Sequence, residues 1–265
     1  MSLREKLDLT AANKRLIDAD GPLHPVTAKQ RDLWYKIELA YTSGSLDGGP
    51  LSLLDTEMAL RYGLSVEGRR VHELFETAGH GEAFEYVLKS ARSGDPPPLA
   101  EAARHIHFLI FHRSKRAEAG NFRRGAAASP IPGHVPPEPS RIAPLMSEMS
   151  ERFAAARTAA GPLELAAFAH QGIMRAQPFA AGSPRVARLL MNMALIGGGL
   201  DPVSIRPELR EEYLEAVRSS LDQEEDYGTP FFAFLLDEEL KSQEFRMRML
   251  HIIEDPEPSG RAETP

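Results

Sequence analysis

An all-α protein is predicted by three observations. Side chains repeat at helical spacing, as in Val186, Leu189, Leu190, Met193 and Gly197, which fall at i, i+3, i+4, i+7 and i+11. Helix punctuation brackets the same stretches: Gly161-Pro162 suits a start, because proline is tolerated at the first helical position, and Gly197-Gly198-Gly199 suits a stop. Strand-like alternation is nearly missing. In chain order, residues 1–94 read as a helical section, closed by Asp95-Pro96-Pro97-Pro98, since consecutive prolines cannot continue a helix. Leu99 to Lys115 reads as a helix. Gly120 to Pro137 is the one candidate for strands, a short proline-bounded β-hairpin or irregular flap of weak β-propensity. Two helices follow, from about Pro162 to Ala176 and from about Pro184 to Ile196, with a loop between them. The segment 255–265 has little to bury and is expected to be a flexible tail, which leaves 95–254 as the core.

Composition narrows the function. The chain has 265 residues, 42% of them hydrophobic and 26% charged, an ordinary balance for a soluble globule. With 31 basic and 38 acidic residues the net charge is −7, which disfavours non-specific nucleic-acid or anionic-membrane binding. No window approaches the roughly 18 uninterrupted apolar residues of a membrane span, and Met1-Ser2-Leu3-Arg4-Glu5-Lys6 lacks a secretory apolar run, so a cytoplasmic protein is expected. Without cysteine there is neither disulfide nor thiolate chemistry, and a metal would need histidine or oxygen ligands. His105, His107 and His112 crowd one helix, but their spacings do not set them on one face as ligands. Walker-type loops, Gly-x-Gly-x-x-Gly, Gly-x-Ser-x-Gly and zinc-protease signatures are missing too.

The loop between the two helices is the informative stretch: Gln177-Pro178-Phe179-Ala180-Ala181-Gly182-Ser183-Pro184-Arg185, followed by Arg188. It resembles the active-site signature of the Fic (Fido-fold) family, His-Pro-Phe-x-Asp/Glu-Gly-Asn-Gly-Arg-x-x-Arg. Pro178, Phe179, Gly182, Arg185 and Arg188 match, whereas Gln177 stands at the base histidine, Ala181 at the metal-binding acid, Ser183 at the asparagine and Pro184 at the second glycine. Three further stretches match in the same order. Ser43, Asp47, Gly48, Leu51, Leu53 and Thr56 resemble the family's N-terminal inhibitory segment, with Asp47 at its glutamate. Phe122, Arg123 and His134 fall in a segment similar to the flap that holds target proteins, and Pro144-Leu145-Met146 resembles the helix after it.

The resemblance implies a Fic helical fold with a flap, and ancestry in AMP transfer from ATP to protein hydroxyls. It also implies what the substitutions remove. The family's histidine accepts the proton of the attacking hydroxyl, and a glutamine amide cannot titrate. Its acid anchors Mg²⁺, for which Ala181 supplies no side-chain oxygen. Pro184 removes one N–H from the phosphate-facing loop, yet Gly182, Ser183, Arg185 and Arg188 at a helix N-terminus still read as an anion site. In the family the inhibitory glutamate pairs with the second arginine, here Arg188, and Asp47 is one methylene shorter. His170 reads first as a packing residue and second as a surrogate base. The expectation is a degenerate Fic-fold protein that binds ATP, AMP or another phosphorylated ligand without Mg²⁺, or a protein partner, with homodimers in keeping with the family. The alternative is a repurposed enzyme with metal-independent chemistry on another substrate.

Overall fold

The computed structural model describes residues 1–63, 68–223 and 227–252. The expected tail at 255–265 lies outside them. Ten α-helices occur among the described residues: α1 (Leu3–Asp20), α2 (Pro25–Leu46), α3 (Leu53–Tyr62), α4 (Val71–Arg92), α5 (Leu99–Phe111), α6 (Pro139–Ala156), α7 (Pro162–Ala176), α8 (Ser183–Gly197), α9 (Arg210–Ser220) and α10 (Pro230–Met249). Local chemistry fixes their ends. Ser2 with Glu5, and Ser52 with Asp55, form capping boxes that satisfy amides left free at the first turns of α1 and α3. Thr229 caps α10 through the Phe232 amide. Proline occupies the first turn of α2, α6, α7, α8 and α10, where its missing N–H costs nothing.

The centre of the molecule is the antiparallel pair α7 and α8. Ala166, Ala167, Ile173, Met174, Val186, Leu190 and Leu195 are fully buried between the flanking helices, in one apolar core that also takes Phe84 of α4, Ile106 and Ile110 of α5 and Met146 of α6. α4 and α5 meet backbone to backbone at Gly79, where a Cβ would lie 2.3 Å from the Leu109 carbonyl oxygen. Asn192 anchors the segment after α8: its amide donates to the Arg188 and Val203 carbonyls, and its Oδ1 accepts the Val203 N–H at 2.7 Å.

The expected hairpin between α5 and α6 is corrected. No strand occurs among the described residues, and 120–138 is an irregular flap. Two causes oppose a ladder. Pro130, Pro132, Pro136 and Pro137 have no N–H to donate, and the buried Arg123 guanidinium takes the Gly125 and Pro137 carbonyls that a partner strand would need. The helix expected to run to Lys115 ends as regular α-helix at Phe111 and continues as turns, Lys115 N–H bonding Phe111 O at 2.8 Å, before Gly120 reverses the chain.

Candidate functional site

The loop from Gln177 to Gly182 turns the chain from α7 into α8 and opens onto a cleft of about 430 Å³. Gln177 is the C-cap of α7 in the left-handed conformation, φ 41°, an uncommon place for a residue with a Cβ. Backbone and flap hold it there. Its carbonyl accepts from Arg123 Nε at 2.7 Å, the Arg123 amide donates to Pro178 O at 2.9 Å, and its own side-chain amide folds back to donate to Met174 O at 2.9 Å. Phe179 pins the loop's middle, its ring parallel to the His107 imidazole at 4.0 Å. His107 does more than stack: Nε2 is 3.0 Å from Ala181 O, and Nδ1 accepts the Gly120 N–H at 3.0 Å, so one imidazole joins α5, the loop and the flap. Burial pushes its pKa down to about 4, which keeps it neutral with the proton on Nε2. Gly182 completes the turn with φ 80°, and a Cβ there would sit 2.3 Å from the Phe111 ring.

The two motif arginines leave the first turns of α8 in different directions. Arg188 is buried; its Nε donates to Ser43 Oγ at 2.8 Å and its terminal nitrogen to Ser43 O and Asp47 Oδ1, both at 2.9 Å. Burial works against its charge, but Asp47 and the Tyr213 hydroxyl outweigh it and hold the pKa above the ordinary arginine value. Arg185 is partly buried, bonded to Asp47 Oδ2 at 3.1 Å and to Glu76 Oε2 at 3.0 Å. Asp47 therefore spans to Arg188 despite its shorter side chain and holds Arg185 as well. Gly48 does not line the cleft; with φ 82° it turns the chain out of α2 just after Asp47.

Several expected residues lie elsewhere. Ser183, expected to face the ligand, is buried and its Oγ accepts the Phe179 N–H at 3.2 Å, a clip across the loop. His170 is fully buried, stacked on Phe231 at 4.1 Å and 2.8 Å from the Tyr213 hydroxyl, with Tyr213 between it and the cleft. Burial, then the Arg188 charge, depresses its pKa well below the usual histidine range. Phe122 packs at 5.7 Å from Phe179, Arg123 is the staple already described, and His134 bonds Ser129 within the flap. Three cleft residues carried no signal in the sequence: Glu76, brought from the second turn of α4, and the cations Lys115 and Arg210. Glu76 could not be found by motif, because its charge reaches the loop only through the packing of α4 on α8. Lys115 Nζ lies 3.7 Å from Glu76 Oε1 and 4.8 Å from the centre of the Phe111 ring.

The donors present do not fit the Mg²⁺ that the family would place here. Ala181 contributes only a backbone oxygen, already bonded to His107, and the two nearby carboxylates, Asp47 and Glu76, are both spent on arginine. No group of three histidine or acidic side chains placed to hold a metal ion occurs among the described residues.

Comparison with known proteins agrees with this architecture. Residues 97–195 match the model of the Fic/DOC family. The chain is 28% identical over 223 residues to a protein adenylyltransferase Fic of Culex quinquefasciatus, covering 83% of this chain and 44% of that protein, and 30% identical over 199 residues to the Drosophila persimilis one, covering 74% and 38%. It thus spans less than half the length of these curated relatives. Among solved structures, a Fic-domain signaling protein of Bacteroides thetaiotaomicron superimposes with a TM-score of 0.82 at 20% identity, over 95% of this chain and 100% of that one. Fic-1 of C. elegans superimposes at 0.79, again at 20% identity, over 94% and 73%. All helical among its described residues, with the loop Gln177 to Gly182 set between its two central helices, the chain belongs to the Fic family.

Proposed function

We propose that this is a Fic-fold protein that does not carry out Mg-ATP-dependent AMP transfer to protein hydroxyls, and that it works by holding a small anionic ligand or a protein partner at the cleft. The observation that carries the reading is the state of the loop. Gln177, at the base position, cannot accept a proton near neutral pH, and its amide is engaged in donating to Met174 O. Four cations line the cleft, Lys115, Arg185, Arg188 and Arg210, against two carboxylates, Asp47 and Glu76, so the cleft retains a surplus of positive charge inside a chain of net charge −7. A phosphate or carboxylate would enter by exchanging with Asp47 or Glu76 at Arg185, while Arg188 stays in its buried contacts. The curated relatives are named adenylyltransferases, so the loss is of an ancestral activity. No helix among the described residues is long and apolar enough to cross a membrane. A cytoplasmic setting and self-association into dimers, as the family suggests, complete the proposal.

The deciding experiment incubates the chain with labelled ATP and Mg²⁺ beside the revertant Gln177→His, Ala181→Asp, Ser183→Asn, Pro184→Gly. The expected result is label in the revertant alone. Equal labelling by the unmodified chain overturns the reading. Calorimetry with ATP, AMP and pyrophosphate in the absence of metal tests the retained anion site, and no binding by any of them removes it.

A further inference from the structure

The flap contributes Ala128, Ser129 and Pro130 to the wall of the cleft. Ser129 Oγ lies 2.9 Å from His134 Nδ1 and accepts the Ile131 N–H at 3.1 Å. A hydroxyl has one proton and two lone pairs. With Ile131 donating into a lone pair, the Oγ proton is free to point at Nδ1, provided the imidazole is neutral and carries its own proton on Nε2. The surroundings favour that form. Burial lowers the His134 pKa, while the Arg175 backbone and the Asp222 carboxylate, the groups that act on its ring from the end of α7 and from beyond α9, support the protonated form but do not prevail. A serine hydroxyl open to a cleft, with its proton aimed at a neutral imidazole, is the arrangement that activates an oxygen nucleophile. The same cleft carries the cations Lys115 and Arg210; Lys115 is 39% exposed and so is reachable by a negatively charged substrate.

We propose that Ser129 is a nucleophile, with His134 as its proton acceptor, that takes the acyl group of a carboxylic ester bearing a negative charge. Oγ forms a bond to the ester carbonyl carbon as its proton passes to His134 Nδ1. The carbon–oxygen bond to the alcohol then breaks, and the alcohol leaves with that proton. Water attacks the acyl-Ser129 by the same route, giving a proton to His134 and releasing the acid while Oγ recovers its proton. Neither Gln177 nor a metal takes part. The activity goes beyond the binding role proposed above and stands or falls independently of whether ATP binds or AMP is transferred.

The test treats the full chain with a fluorophosphonate probe, which loses fluoride on reaction with an activated serine, and maps the adduct by peptide mass spectrometry. Hydrolysis of mono-p-nitrophenyl succinate is measured beside neutral p-nitrophenyl butyrate. Expected are an adduct on Ser129, its loss in Ser129→Ala, a slowing of about 100-fold or more in His134→Gln, faster turnover of the anionic ester, and a rate that falls on acidification below the ordinary histidine pKa. An adduct elsewhere, no adduct above a heat-denatured control, or ester hydrolysis unchanged in Ser129→Ala overturns the proposal. Should His134→Gln lose its circular-dichroism signature, the acid limb of the unmodified chain decides, and a rate flat down to pH 5 also overturns it.

Discussion

Arg188 and Arg185 stand one helical turn apart on α8 and end in different chemical settings. Arg188 is buried and saturated, with every described contact made to Ser43, Asp47 and the neighbourhood of Tyr213, whereas Arg185 is partly buried, 16% exposed at the cleft wall, between two carboxylates that come from α2 and α4. The difference teaches that one guanidinium is part of the structure, while the other is where the proposed anion would have to exchange. Removing a partner from a buried charge pair strands the other charge, while an ion pair open to water is worth little.

The comparison can be broken most directly at the buried arginine. Arg188→Ala is expected to cost about 3–5 kcal/mol in urea unfolding, because it empties a buried site, takes the partner from Ser43 and leaves Asp47 to Arg185 alone, whereas Arg185→Ala, nearer the cleft, is expected to cost less, about 1–2 kcal/mol. Equal losses would erase the distinction. A second measurement uses His80 of α4, which is buried beside these arginines with neither ring nitrogen bonded. Burial, then the charges of Arg185 and Arg188, push its pKa down to about 3. The unfolded chain takes up that proton near pH 6.5 and the folded chain does not, so stability present at neutral pH is lost as the pH falls below about 6.5. His80→Gln is expected to remove up to about 1.4 kcal/mol per pH unit of that slope between pH 6 and 4, read from urea midpoints. A third change sharpens the exposed side. Glu76→Gln keeps an acceptor for Ser114 but frees half of Arg185, and is expected to tighten pyrophosphate binding about five- to tenfold by calorimetry, equivalent to ~1 kcal/mol. Unchanged affinity would mean that Arg185 does not exchange. The smallest effect belongs to Ser43→Ala, which leaves Arg188 Nε without its hydroxyl partner and is expected to cost about 1 kcal/mol in the same unfolding experiment.

The elements that were legible in the sequence are those written in local chemistry. Gly161-Pro162 and the Gly197 run mark α7 and α8 to within a residue, and Gly182 marks a turn that the Phe111 ring leaves open only to glycine. Asp47 was legible at the position of the inhibitory glutamate, but neither the reach of its shorter side chain to Arg188 nor its second hold on Arg185 was. Ser183 and His170 had the right polarity for a ligand or a proton, yet Ser183 is consumed by an internal hydrogen bond and His170 is fully buried with Nε2 against Tyr213, which only packing reveals. Glu76 and His107 were the opposite case. Each belongs to a helix far from the motif in sequence, and each reaches it because α4 and α5 close on the start of α8, a tertiary fact with no local periodicity to announce it. The flap misled for a similar reason: proline density there could mark a bounded hairpin or forbid a ladder, and the Arg123 guanidinium decides for the second.

Gln177 takes its shape from its carbonyl and from the turn it occupies, with Arg123 gripping the oxygen from outside, and its side chain merely caps the helix it ends. Fold and side-chain identity are thereby uncoupled at this position. An imidazole would fit there without rebuilding the loop, so the identity of this side chain is set by chemistry and hardly at all by folding.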